Sequence, residues 1–250
     1  MREALRMLCL LVAFASSSVA AAAEPASKSD APMVEPQALD ALKKMGAYLR
    51  TLNALEIKAS TLTDTVLDNG QTVQFAGTAN YRVRKPNGFV ITVADDRRVR
   101  QYNYDGKSFT IFSPRMGFYS TVPAPPTTRE LLTKIHDKLG IEFPLEDLFR
   151  WGLPEDRHDD LTSGVLVGYA RINGGDAEQY AFRERDVDWQ IWIQRGDKPL
   201  PLKVVITLAS DEARPQFAAT LNWTTNPKFT DATFAFKPPA DAKPITIAQR

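Results

Sequence analysis

Apolar and polar residues alternate along most of the chain, which is the pattern of β-strands with one buried face. The clearest alternation runs over residues 73–83, where every second residue is apolar or small. Gly77 and Ala79 lie in the middle of this row, which indicates a bend or a space to be filled. About eleven strands are predicted, the first opening at 55–59 and the others at 73–83, 89–94, 98–104, 108–112, 118–122, 165–172, 177–185, 188–194, 202–209 and 217–225.

Short turn signals separate these strands. Asp68-Asn69-Gly70 is a typical tight-hairpin sequence, and Asp105-Gly106 and Asn173-Gly174-Gly175 also fall between predicted strands. Strands joined by such short connections predict an antiparallel meander rather than a parallel sheet with helical crossovers.

Three segments have apolar residues at helical spacing instead, and they cover residues 36–52, 127–139 and 144–151. In the second segment Thr127 and Glu130 form a capping box, and Gly140 follows its last residue. A wide sheet with one apolar face needs a cover, and these helices are the elements available for it. We therefore expect a mainly antiparallel β fold with an α-helical lid (α+β).

The first 23 residues have the three parts of a secretory signal peptide. Arg2 and Arg6 precede an apolar run, and small residues end at Ala23, where we expect cleavage. Residues 24–35 are rich in Ala, Pro, Ser and Lys and predict a flexible lead, and residues 36–250 a single domain. The one cysteine, Cys9, lies in the signal peptide, so we expect a mature chain without disulfides.

Charge and reactive side chains argue against several functions. The chain has 31 basic and 30 acidic residues and no basic stripe, so nucleic acid is not an expected partner. It has no G-x-S-x-G motif, and its two histidines offer little choice of catalytic base. His136 is expected on a helix surface and His158 in a solvated charged loop, 154–160, rather than in a metal site. We expect no catalytic residue, no metal and no cofactor; a hydrolase that uses loop carboxylates is the weakest alternative.

Four segments carry a resemblance to known families. GTANYRVRKPNGFVI (77–91) and YDGKSFTIFSP (104–114) resemble the periplasmic outer-membrane lipoprotein carrier LolA and its relatives. PLPLKVVIT (199–207) and NWTTNPKFTDATFAFKPP (222–239) are similar to a family of predicted periplasmic proteins of unknown function, thought to share the carrier's fold. This second resemblance covers nearly the whole mature chain.

The resemblance implies a periplasmic protein with an unclosed barrel of about eleven strands, a lid of about three short helices, and an apolar cavity for acyl chains. Lys85 matches the position of an arginine that ties the lid to the barrel mouth in the carrier family. Lysine lacks the planar fork of arginine, and Arg84 lies on the other face of the strand, so Lys85 and Arg84 are both candidates for the lid latch.

The candidate cavity lining consists of apolar side chains on the inward face of the strands and on the lid. In DWQIWIQ (188–194) the alternation directs Trp189 inward and Trp192 outward, where we expect a surface aromatic. The candidates are Phe75, Tyr81, Val83, Phe89, Ile91, Phe109, Ile111, Leu132, Ile135, Leu139, Phe149, Trp151, Trp189, Ile191, Ile193, Val204 and Ile206.

Two functions remain open beside the weak enzyme alternative. The first is a periplasmic carrier, a monomer that holds the acyl chains of a lipid or lipoprotein and exchanges them with a membrane-associated donor or acceptor protein. The second uses the same fold as an envelope-stress sensor or protein-interaction module. Lipid that copurifies with the protein favours the first, and a partner recovered without lipid favours the second.

Overall fold

A computed structural model describes residues 33–141, 143–153 and 158–247. The predicted signal peptide lies outside these residues. The helices are α1 (Pro36–Thr51) and α2 (Thr128–Leu139), with 3₁₀ helices at Glu146–Phe149 and Asp231–Thr233. The strands are β1 (Met33–Val34), β2 (Ala54–Val66), β3 (Thr72–Arg84), β4 (Phe89–Asp95), β5 (Val99–Tyr104), β6 (Ser108–Ser113), β7 (Phe118–Pro123), β8 (Ser163–Ile172), β9 (Gly175–Arg183), β10 (Val187–Gln194), β11 (Pro201–Leu208), β12 (Gln216–Thr225) and β13 (Lys243–Pro244).

All thirteen strands form one sheet in the order β1-β8-β9-β10-β11-β12-β2-β3-β4-β5-β6-β7-β13. Neighbours are antiparallel except at the two edges, where β1 pairs with β8 and β13 with β7 in parallel. The curved sheet does not close, which confirms the predicted fold class. The two strands beyond the expected eleven are two-residue edge strands, which are too short to show a period.

The end of the expected flexible lead is ordered by the sheet, which corrects that prediction for residues 33–35. Met33 and Val34 form β1, and the Glu35 backbone N–H donates to the Gly164 carbonyl oxygen at 2.8 Å. The Glu35 carboxylate also accepts a hydrogen bond from the Leu166 backbone N–H at 3.0 Å. A segment rich in proline and small residues is flexible only if its backbone has no hydrogen-bond partners. Here the backbone of β8 supplies them.

The helices cover one face of the sheet, which we call the inner face. α1 buries Ala38, Leu42, Met45 and Leu49 against it. Inner-face residues of neighbouring strands lie side by side across the sheet and form its core. One such row consists of Leu55, Val83, Phe89, Tyr104, Phe109 and Val122, and the next of Trp223, Ile57, Tyr81, Ile91, Tyr102 and Ile111.

The ends of α2 follow the sequence signals. The Thr127 hydroxyl accepts a hydrogen bond from the Glu130 backbone N–H at 3.3 Å, which confirms the capping box. Gly140 ends the helix in the left-handed conformation, with φ of 59°. α1 contacts the turn after the 3₁₀ helix almost backbone to backbone, because a Cβ on Gly46 would lie 2.7 Å from the Gly152 Cα.

Candidate functional site

A large cavity lies between the inner face and the segment that follows α2. Its volume of about 770 Å³ falls in the range of roughly 300–1,000 Å³ that is typical of small-ligand sites. Thr61, Thr63 and Gly77 line the sheet side, and these small residues leave room above the sheet. A glycine is required at position 77 because the backbone of β4 lies very close to it: a Cβ there would lie 2.6 Å from the Ala94 carbonyl oxygen. The apolar side chains of the lining are Phe75, Val93, Ala94, Tyr102, Ile141, Phe143, Pro144, Leu145, Ile206 and Phe217.

One side of this large cavity is charged. The hairpin between β4 and β5 contributes Arg97, Arg98 and Arg100, and the 3₁₀ helix contributes Glu146 and Asp147. The Arg97 guanidinium carbon lies 3.7 Å from the Phe75 ring centroid, so a cation covers one apolar wall. The Arg100 side chain donates to the Ser113 hydroxyl at 2.6 Å. The large cavity therefore has apolar walls and a polar, solvent-facing side.

A second, smaller cavity of about 190 Å³ lies beside the C-terminal end of α1 and the N-terminal end of α2. Apolar side chains from the sheet and from the helices form most of its wall. These are Leu49, Leu55, Ile57, Tyr81, Val83, Leu132, Leu148, Phe149 and Leu153. Four cations, Arg50, Lys85, Arg129 and Arg150, complete the lining, together with Pro86, Thr128 and Thr133.

Tyr81 and Pro144 connect the sheet with the lid between the two cavities. The Tyr81 side chain lines the small cavity, and Pro144 lines the large one. The Tyr81 hydroxyl donates a hydrogen bond to the Pro144 carbonyl oxygen. Tyr81 is 1% exposed, so this bond is shielded from water. The contact holds the segment before the 3₁₀ helix against the sheet.

Lys85 lies where β3 ends and contacts the end of α1. Its ammonium group donates to the Leu49 carbonyl oxygen at 2.9 Å and to the Arg50 carbonyl oxygen at 3.4 Å. The lysine is partly desolvated, and the Arg50 guanidinium lies close. Desolvation first, and then the Arg50 charge, lower the pKa of Lys85 from 10.5 to about 8.

Six of the seventeen predicted lining residues face a cavity. Phe75 and Ile206 line the large one; Tyr81, Val83, Leu132 and Phe149 line the small one. The other eleven lie in neither lining, because they pack into the core or against it. These are Phe89, Ile91, Phe109, Ile111, Ile135, Leu139, Trp151, Trp189, Ile191, Ile193 and Val204.

Three predictions need correction. Trp189 stacks on Phe182 at 4.3 Å between ring centroids and lines neither cavity. Trp192 is only 7% exposed, so the expected surface aromatic is wrong: Lys203 on the neighbouring strand lies over its ring at 4.7 Å. Arg84 does not reach the lid.

Arg84 instead binds the C-terminal segment on the other face of the sheet. Its guanidinium pairs with the Asp231 carboxylate at 2.7 Å and lies 4.7 Å from the Phe234 ring centroid. Gly88 also lies against Phe234, since a Cβ there would be 3.2 Å from the ring. Segments 77–91 and 222–239, two of the four that carry a family resemblance, therefore pack on each other.

Apart from Lys85, the charged residues that line the two cavities give no signal in the sequence. Arg97, Arg98 and Arg100 read as turn and strand-surface residues, and Arg50 and Arg129 as solvated helix residues. Their position beside a cavity depends on how the lid lies on the sheet. The helical spacing of Leu49 and Leu132 does predict that both side chains face the sheet, which is how they come to line the small cavity.

No group of three or more metal-ligating side chains occurs among the described residues. His136 is exposed on α2, as expected for a surface histidine. Of the charged loop at 154–160, residues 154–157 lie outside the described part of the chain, and His158 is half-buried. None of the described helices is long and apolar enough to cross a membrane.

An open antiparallel sheet with short helices over one face and an internal cavity defines a half-barrel protein. Lipoprotein LppX of Mycobacterium tuberculosis shares this fold, with a TM-score of 0.50 and 10% identity over 78% of this chain and 98% of that chain. LprF of Mycobacterium bovis is 10% identical over 84% and 100%, with a TM-score of 0.47. A LolA superfamily protein of Nitrosomonas europaea is 8% identical over 80% and 97%, with a TM-score of 0.38.

The sequence matches the family of predicted periplasmic proteins DUF2092 over residues 38–248, and the chain belongs to that family. No curated protein matches the chain. The family and fold confirm the resemblance that the sequence motifs indicated.

Proposed function

We propose that the protein is a periplasmic binding protein that holds the acyl chains of a lipid or lipoprotein between its sheet and its lid. The observation that carries the proposal is the large cavity, about 770 Å³ with apolar walls, between the inner face and the lid. LppX, which shares the fold, is described as a lipoprotein, and this supports a role at the cell envelope.

Binding on this proposal needs no chemistry. Each methylene that moves from water to an apolar wall contributes about 0.8 kcal/mol, so an acyl chain of ordinary length binds firmly. Release requires a state in which the lid no longer covers the inner face, and a membrane-associated partner shifts the population toward that state. Lys85 serves as the latch of the closed state through its bonds to the end of α1.

The proposed location follows from the family description and from the first residues. Residues 1–23 direct export and are removed, and the remaining chain works in the periplasm. Acyl lipids of the envelope are the ligands available there. Residues 36–250 act as one domain, without a cofactor.

The test is mass spectrometry of an organic extract of the protein purified from its own envelope. We expect bound acyl lipid with the wild type and a large reduction with Thr63→Trp, which places an indole in the large cavity. Ser60→Trp is the matched control, since Ser60 lies on the opposite face of the same strand and is exposed. A wild type without lipid that also takes up no added fatty acid would exclude the carrier. Recovery of a partner protein without lipid would support the sensor.

A further inference from the structure

Arg100 places a positive charge on the inner face of the sheet, in a row that is otherwise apolar. The neighbouring positions across β4, β3, β2 and β12 are Val93, Ala79, Ala59 and Leu221. Arg100 is half-buried and lines the large cavity together with Val93. A charge in such surroundings is costly unless it binds a partner.

The Arg100 guanidinium has donors left for a ligand. Its Nη1 donates to the Ser113 hydroxyl at 2.6 Å and to the Val99 carbonyl oxygen at 3.2 Å. A guanidinium has five N–H donors, and neither of these partners carries a negative charge. Within the described part of the chain, Arg100 forms no ion pair with a carboxylate.

Arg97 lies at the rim of the same large cavity, on the hairpin that follows β4. Its guanidinium carbon is 3.7 Å from the Phe75 ring centroid, and its side chain is exposed. A guanidinium that covers an aromatic ring can still use its N–H donors on an oxyanion. Among residues 33–141, 143–153 and 158–247, no carboxylate forms an ion pair with Arg97.

Asp95 is the carboxylate that this hairpin contributes to the lining, and the hairpin itself engages it. Its Oδ1 accepts the backbone N–H groups of Arg97 and Arg98, both at 2.8 Å, and its Oδ2 lies 3.8 Å from the Arg98 guanidinium. Burial opposes ionisation of Asp95, but these N–H donors and the charges of Arg97 and Arg98 hold its pKa below the ordinary 3.8.

The charges of the large cavity are therefore segregated between its two sides. On the hairpin side, Asp95 faces three arginines, which leaves that side cationic. On the lid side, Glu146 pairs with Arg150 at 3.4 Å, and Asp147 adds a further carboxylate. An anion is favoured on the hairpin side only.

We propose that Arg97 and Arg100 bind the anionic head group of an amphiphile, a carboxylate or a phosphate ester, whose acyl chain lies in the large cavity. This inference rests on the proposed function and specifies its ligand class. The apolar wall beside the two arginines consists of Phe75, Val93 and Phe217 on the sheet, with Ile141 and Phe143 on the lid. Guanidinium groups pair with oxyanions through charge-assisted N–H bonds, so the site selects anionic amphiphiles over neutral ones of the same chain length.

The test compares the affinities of decanoate, decyl phosphate and decanol for the full chain by titration calorimetry at neutral pH. We expect both anions to bind at least about tenfold more tightly than the alcohol, as for hydrogen bonds to a charged group. Thr63→Trp should weaken the binding of all three, because its indole takes the volume that their chains share in the large cavity.

Substitution of the two arginines separates the head group from the chain. Arg100→Met should reduce the ratio of anion to alcohol affinity several-fold and leave decanol binding unchanged. Arg97→Met should act in the same direction; it keeps an apolar cover on Phe75, so a purely packing role of Arg97 would leave the ratio unchanged. Because Arg97 is exposed, this variant should fold even if Arg100→Met does not. Arg100→Lys should retain part of the preference, since it keeps the charge without the planar fork.

Arg115→Met and Lys134→Met are the controls, and both should leave the ratio unchanged. Arg115 donates to the Asp95 and Asp96 carbonyl oxygens on the same hairpin but does not line the large cavity, so its replacement measures any general disturbance of the hairpin. Lys134 is on α2, also outside this lining, and its ammonium group bonds the Pro123 carbonyl oxygen at 3.0 Å.

Equal wild-type affinity for the three amphiphiles would overturn the inference and leave the proposed function standing. An anion preference that survives in both arginine variants, or that falls equally in Arg115→Met, would overturn it too. Failure to bind any of the three would also reject the inference, and the proposed function falls with it if the envelope extract contains no lipid. If inorganic phosphate binds as tightly as decyl phosphate, the site takes a free anion, and the head-group assignment is wrong.

Discussion

The Lys85 ammonium group donates a hydrogen bond of 2.9 Å to the Leu49 carbonyl oxygen, in the last turn of α1. The last carbonyl groups of a helix have no partner within the helix, and they carry its partial negative charge. A side chain at the end of β3 thus donates hydrogen bonds to the last carbonyl groups of α1, and these bonds connect the lid to the sheet. An arginine fork is not needed, because a lysine can bond two successive carbonyl groups.

Replacement of Lys85 should loosen the end of α1 while the sheet stays intact. In Lys85→Met we expect faster amide hydrogen exchange over residues 47–53 and a loss of about 1 kcal/mol in unfolding free energy. The loss is small because removal of a half-buried charge also removes its desolvation cost. Lys134→Met should change neither quantity. Exchange that accelerates equally throughout the sheet would contradict a local latch.

The lowered pKa of Lys85 predicts a specific pH dependence of stability. The folded protein releases this proton near pH 8 and the unfolded chain near 10.5, so the unfolded chain binds more protons in between. The stability that this pKa shift contributes is therefore fully present above about pH 10.5 and is lost as the pH falls through about 8. Urea unfolding at pH 7, 9 and 10.5 should show wild type gaining stability relative to Lys85→Met as the pH rises. A constant difference between the two proteins would contradict the shifted pKa.

The fold could be predicted from the sequence because its strands and turns have strong local signals. The alternation of residues 73–83 corresponds to β3, and Thr127, Glu130 and Gly140 define the ends of α2. The edge strands β1 and β13 could not be predicted, since two residues have no period and depend on a partner strand. Family resemblance supplied the open barrel, which alternation alone does not distinguish from a closed one.

The site was less predictable, because a cavity is a property of packing between elements. Alternation assigns Ile191 and Phe75 to the same kind of inner-face position, yet Ile191 is buried in the core and Phe75 lines the large cavity. The difference depends on where the lid lies, and α1 fills the inner face elsewhere. Arg97 and Arg100 gave no signal, since an arginine in or beside a strand reads as a surface residue.

Gly46→Ala should destabilise the protein, although the same change usually stabilises a helix interior by about 1 kcal/mol. A Cβ on Gly46 would lie 2.7 Å from the Gly152 Cα, and backbone cannot move as a side chain does. We expect a loss of about 1–3 kcal/mol, as for overpacking in a core. Ala47→Gly, at an exposed position in the same helix, should cost only about 1 kcal/mol. Denaturant unfolding measures both; an unchanged Gly46→Ala midpoint would contradict the close contact.

Tyr81→Phe should release the segment before the 3₁₀ helix without disrupting the core. The Pro144 carbonyl oxygen loses its donor, which costs about 1–3 kcal/mol for a buried group. We expect faster amide exchange over residues 143–149 and faster entry of a fluorescent fatty acid. Tyr104→Phe is the matched control, because it removes a hydroxyl bond to the Pro125 carbonyl oxygen at 2.7 Å, before α2. In Tyr104→Phe, amide exchange should accelerate near residues 124–128 only. Identical exchange patterns in the two variants would contradict separate roles for the two hydroxyl groups.

The C-terminal segment should stabilise the outer face mainly through Phe234 rather than through its ion pair. Phe234 is 1% exposed and lies against Gly88 and Arg84, and its ring is 5.5 Å from that of Phe229. Phe234→Ala should therefore cost about 3–5 kcal/mol, as for other buried aromatic truncations.

Asp231→Ala separates the ion pair from this packing. The Asp231 carboxylate is 95% exposed, so solvent and salt screen its bond to Arg84 and its loss should cost less than about 1 kcal/mol. Denaturant unfolding at low and high salt checks both changes, and the Phe234→Ala loss should not depend on salt. A larger loss for Asp231→Ala than for Phe234→Ala would mean that charge, not apolar burial, fixes residues 222–239 against 77–91. Since these are two of the four segments that carry a family resemblance, the expected order of losses would assign their motifs to folding of the half-barrel rather than to ligand binding.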